Sequence, residues 1–166
     1  MKQQMIAGML AVSTAAMLAP ATGSADSSAA VERQLTGVWL VTTTPRDCIT
    51  GNSFPQAAFE GLFTYHKGGT MTAWVQNAVI SITRSPSHGL WKRTAGWSDY
   101  SFEFVHLRYD LSGTYVGRQV AKGTLVLSAS GNEFTTTSST SVFDVDGNPL
   151  GGGCASAAGR RFGEES

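Results

Sequence analysis

At 166 residues, with 42% hydrophobic and 10% aromatic side chains, the chain holds material for one ordinary domain with a real core. Twelve basic and twelve acidic side chains cancel, charged residues are only 14% of the chain, and no dense basic stripe occurs. This balance argues against a nucleic-acid backbone partner and against a polybasic anchor for anionic lipid.

Residues 1–25 differ from the rest. Lys2 is the only charge before Asp26, "MIAGMLAVSTAAMLA" is an apolar run, and "PATGSAD" follows with small residues at Gly23 and Ala25. That order of charge, apolar run and small residues is the pattern of a secretory signal peptide, with cleavage expected after Ala25. The run is short against the roughly 20 residues a bilayer span needs. The expectation is a secreted or periplasmic protein with no stable membrane insertion after cleavage. Residues 26–35 are expected to form an N-terminal arm, and residues 36–166 a single β domain.

From Gly37 onward no window carries a 3.6-residue apolar period, whereas period-2 alternation between turn signals recurs throughout. The pattern predicts eight strands, at about 37–44, 58–65, 70–76, 88–94, 98–109, 115–128, 132–145 and 153–162. Gly68-Gly69 permits a primed hairpin turn, and "SASGNEF" and "DVDGNPLGGG" supply Gly-Asn and Asp-Gly-Asn-Pro in the same role. In the run 98–109, Tyr100, Phe102, Phe104, His106 and Arg108 share one face. In 115–128, Gly117, Ala121 and Gly123 share a face with Tyr115 and Gln119, and small residues let a strand bend. Consecutive antiparallel strands joined mostly by short turns predict an all-β fold, an eight-stranded antiparallel up-and-down β-barrel, with a β-sandwich as the alternative. Two longer connections, 45–58 and 77–88, are expected at a barrel mouth, where such loops can act as a lid.

Export gives the cysteines a meaning. The chain has two, Cys48 and Cys154, with no CxxC and no adjacent histidine, so a disulfide between them is expected. In a chain-entropy account a bridge closing a loop of about a hundred residues contributes roughly 4–5 kcal/mol.

Gly37-Val38-Trp39 at the start of the first strand resembles the G-x-W of the lipocalin and wider calycin superfamily. The resemblance implies that Trp39 closes the barrel base and that an arginine late in the last strand, Arg160 or Arg161, packs across its ring. The chain also resembles a set of small exported bacterial β-proteins, with "GVW…TPRDC" early and "GCASAAGRRF" late.

Chemistry-bearing residues are sparse. His66, His88 and His106 have no compact ligand spacing, so no metal site is expected, and no cofactor motif or nucleotide fingerprint occurs. Asp110, Asp144 and Asp146 sit in turn signals, and "DVDGN" lacks the later glutamate of a calcium loop. If the face of Tyr100, Phe102, Phe104, His106 and Arg108 points inward, it lines a cavity, with Phe63, Tyr65, Trp74 and Gln119 adding to the wall. The competing reading makes that face ordinary core with Arg108 at the rim. The leading expectation is a carrier of a small apolar or aromatic molecule. The alternatives are a cyclase or isomerase that moves a proton through His106 or Tyr100, and an interaction or inhibitor module with Trp91 and Trp97 in an exposed patch.

Overall fold

The alternating runs pair into one closed sheet. The computed structural model describes residues 34–75 and 82–163. The expected signal peptide, residues 1–25, most of the expected arm, and residues 76–81 of the second long connection lie outside the described residues. The strands are β1 (Gly37–Arg46), β2 (Phe59–Tyr65), β3 (Thr70–Val75), β4 (Thr83–Arg84), β5 (Ser87–Ala95), β6 (Asp99–Tyr109), β7 (Tyr115–Leu127), β8 (Glu133–Phe143) and β9 (Pro149–Arg161). Going around the wall the order is β1, β2, β3, β5, β6, β7, β8, β9 and back to β1, every pair antiparallel. This is an eight-stranded up-and-down barrel with one extra strand. It forms in place of the sandwich because β1 and β9 run side by side from Trp39↔Arg161 to Arg46↔Cys154, which leaves the sheet no free edge to fold over.

The extra strand falls where a connection was expected. β4 pairs with the end of β6, Thr83↔Tyr109 and Arg84↔Arg108, and so prolongs β5 along the same neighbour. Pro86 separates the two because it has no N–H for the ladder. Ser85 bridges the break: its N–H donates to Leu107 O at 3.0 Å, and its Oγ accepts from Leu107 N–H at 3.0 Å. β9 begins at Pro149, earlier than the expected start near 153. The turn itself needs only Asp144–Asn148, where Asp144 Oδ1 accepts from the N–H groups of Asp146 and Asn148. Gly152 then lies so close to the Thr140 carbonyl that a Cβ would overlap it, so only glycine continues the ladder there.

Alternation sorts the side chains as a half-buried sheet requires. Inside, at one end, Leu35, Trp39, Tyr65, Met71, Tyr100, Leu125, Leu127 and Phe134 form a sealed base. Toward the other end the aromatic rings of β2 and β6 face Thr136, Ser138, Ala155 and Ala157 on β8 and β9. Large residues on one side opposite small ones on the other nearly fill a barrel of this strand number.

The connection after β1 is anchored rather than loose. Cys48 is disulfide-bonded to Cys154 across 106 positions. Asp47 Oδ1 accepts from the N–H groups of Ile49 and Thr50 at 2.8 and 2.6 Å, and a short 3-10 turn, Pro55–Ala57, leads into β2. No residue of 47–58 is among those that line the interior cavity.

Candidate functional site

The two ends of the barrel have different chemistry, and the base is structural. Trp39 is fully buried and its indole N–H donates to Leu35 O at 2.9 Å. The Arg161 guanidinium stacks on the indole, its carbon 4.3 Å from the ring centroid. It also donates to three carbonyls: Thr36 and Gln34, each at 2.8 Å, and Gly131 at 2.7 Å. One side chain thus ties the incoming chain, the turn between β7 and β8, and the plug to one another. Gly37 has φ +135°, and a Cβ there would stand 2.7 Å from Arg161 Nη1, which is why glycine precedes the tryptophan. Of the two arginines named from the sequence, Arg161 is the one on the ring; Arg160 lies on the outer, exposed face.

The opposite half of the interior holds a cavity of about 90 Å³. Its walls include Phe59 and Phe63 from β2, Phe102, Phe104 and His106 from β6, and Gln119 from β7. Thr136, Ser138 and Thr140 from β8, Ala155 and Ala157 from β9, and Arg84 from β4 also line it, with Thr43, Val75 and Ala121 from β1, β3 and β7. Phe63 meets Phe104 edge-on at 6.0 Å between centroids, and Phe102 stacks on Phe104 at 6.0 Å. The lining is mainly apolar, with a few polar groups that converge.

Of the residues singled out from the sequence, Phe63, Phe102, Phe104, His106 and Gln119 come together around this cavity. Tyr65 and Tyr100 share the inward faces but sit lower, in the base, where Tyr100 Oη–H donates to Trp97 O at 2.9 Å. Trp74 stands outside the barrel, 57% exposed, opposite Leu62. Arg108 is partly buried on the face of His106, beyond the immediate lining. Arg84 was missed. It lay in a segment read as a connection, and the signal that could have found it is the β-forming run "ISITR" directly before Ser-Pro.

His106 is the polar centre of the cavity. It is 4% exposed and pairs directly with Gln119 across β6 and β7. Its Nδ1 is buried without a hydrogen-bond partner. Burial first, then the positive charge of Arg84 and to a lesser degree Arg108, push its pKa down to about 4, against a smaller opposing pull from Gln119. His106 is therefore a neutral imidazole at physiological pH, with one ring N–H to donate and one nitrogen to accept. Arg84 is itself lowered, first by burial and then by Arg108.

Among the described residues no group of three or more His, Cys, Asp or Glu side chains is placed to hold a metal ion. His66 sits at its hairpin with Nε2 3.4 Å from Thr72 Oγ1, and His88 is exposed on β5. Compared with protein-family models, curated proteins and solved structures, the chain matches none. The antiparallel closed barrel is consistent with a calycin-like fold.

Proposed function

We propose that this is an exported, lipocalin-like binding protein for a small, mostly apolar molecule, held at the open half of the barrel. One observation carries the reading: an apolar-lined cavity converges on a buried histidine whose Nδ1 has no protein partner. A buried polar atom left unpaired costs free energy unless something else satisfies it, and a ligand group is one such partner. The cavity volume bounds what can be buried. At about 90 Å³ it takes roughly three waters' share of liquid, and an engineered cavity that holds benzene is about 150 Å³. A ligand therefore enters by an aliphatic branch or one edge of a ring, the remainder lying at the mouth.

The cyclase or isomerase alternative asks His106 or Tyr100 to move a proton, and Tyr100 sits in the base, outside the cavity lining. His106, a base whose pKa is held at about 4, is weak for that task near neutral pH. The interaction-module alternative looks to exposed aromatics such as Trp97 or Trp91, and Trp97 is 43% exposed. Trp91 instead packs edge-on against Tyr65 and Tyr100, and its indole N–H donates to Thr70 O at 2.9 Å.

Native mass spectrometry of the mature protein purified from its own host's medium tests the proposal. The expected spectrum contains an adduct of low mass that is lost on unfolding and reduced by His106→Leu. An unliganded mass, together with no thermal shift across a panel of small apolar and aromatic compounds, overturns it.

A further inference from the structure

The cavity has a one-sided charge. Arg84 lines it and stands directly opposite Arg108 in the β4–β6 pairing, which puts both side chains on one face of the wall. His106 precedes Arg108 by two positions and shares that face. The Arg84 guanidinium lies 5.9 Å from the Phe59 ring centroid, so the charge is held against the cavity wall. No aspartate or glutamate lines the cavity. Among the described residues the ion pair is Lys122–Glu103, both exposed on the outer surface, so no described carboxylate neutralises either arginine. Like charges placed opposite each other in a sheet repel, and partial burial strengthens the repulsion. An anion between two guanidinium groups turns that repulsion into two attractions with fork-shaped donor geometry.

Building on the ligand-binding reading above, we infer that the ligand is a small carboxylate, its anionic head held at the mouth by Arg84 and Arg108 and its aliphatic portion seated against Phe63 and Phe104. The sizes agree. A cavity of about 90 Å³ suits a short aliphatic segment, and the carboxylate stays at the charged rim, where it keeps part of its hydration. Neutral His106 adds a hydrogen-bonding group without adding charge. Phosphate fits less well, because a dianion demands more donors than this mainly apolar lining supplies.

The test is an NMR titration of the 15N-labelled protein with butanoate and hexanoate against butanamide and hexanamide, reading the side-chain signals of Arg84, Arg108 and His106. Each acid is expected to bind at least about tenfold more tightly than its amide, with the preference shrinking as salt is added. Arg84→Gln and Arg108→Gln are each expected to abolish the preference while keeping or raising the thermal midpoint, since each removes one of two repelling charges. A merely structural role predicts the opposite change in midpoint. Equal binding of acid and amide overturns the carboxylate inference and leaves the binding reading standing. So does binding of inorganic phosphate as tight as that of hexanoate. A preference that survives both arginine variants places the anion elsewhere and overturns the inference too. Failure of all four probes to bind overturns the carboxylate inference, while the binding reading stands or falls by the adduct and the wider compound panel above.

Discussion

His106 couples the cavity to pH. Its value is lowered from 6.5 to about 4 in the folded state, so as pH falls the unfolded chain takes up the proton first. The sign follows: this group's contribution to stability is fully present above about pH 6.5, is lost as pH falls from there toward 4, and is flat below. The loss is up to about 3 kcal/mol for a shift of this size. Urea unfolding of wild type and His106→Gln at pH 7, 5.5 and 4.5 checks it. The wild type should weaken over that range and the variant should lose most of the slope; equal slopes would place the titrating group elsewhere. The carboxylates of Asp47, Asp110 and Asp144 are also lowered, chiefly by hydrogen bonds from their own turns, but they act only below about 3.8, outside this window. At this scale the sequence was half legible. Alternation put His106 beside Phe104 and Arg108 on one face, while its orphaned Nδ1 and the charge of Arg84 depend on what folds across from it.

At the scale of elements, the closing pair of β1 and β9 matters most, since it joins the two ends of the β domain. The disulfide sits at the cavity end of that pair, where Arg46 opposes Cys154, and Arg161 clamps the other end. Replacing both cysteines by serine is expected to lower stability by about 2–4 kcal/mol without changing the fold, because the β1–β9 ladder remains. Urea unfolding of the double variant gives the magnitude, and an unchanged far-UV spectrum checks the fold. If stability does not change, the bridge contributes nothing beyond that ladder. The strands themselves were readable because long alternating runs such as 98–109 have only one regular solution. β4 was not, since two residues isolated by Ser85-Pro86 carry no period of their own and pair only because β6 extends past the end of β5.

For the whole molecule, closure makes the base a shared plug. Trp39 packs on Phe134 at 4.8 Å, Phe134 on Tyr65, Tyr65 on Trp91, and Trp91 on Tyr100, so five strands meet through one aromatic chain. Loss of any strand opens the base to water. Unfolding is therefore expected to be a single transition, with far-UV and near-UV signals falling together in urea. Separated transitions would show that the cavity half melts independently of the base.

By itself the sequence determined the class, the strand order, the cysteine pair and the tryptophan plug. The first three rest on local period, turn chemistry or a residue type with one plausible use, and the plug on the resemblance of Gly37-Val38-Trp39 to the calycin G-x-W. Tertiary structure alone decided three things: which of two alternating faces looks inward, how high along the barrel axis each inward residue sits, and which side chains meet across it. Trp74 stands outside although it neighbours Ala73, Tyr65 lies in the base although it follows Phe63, and Arg84 reaches a cavity from a strand of two residues, too short to show which way it faces. Period 2 fixes the parity of a strand, whereas register and closure, set by contacts far apart in the chain, determine what that parity faces.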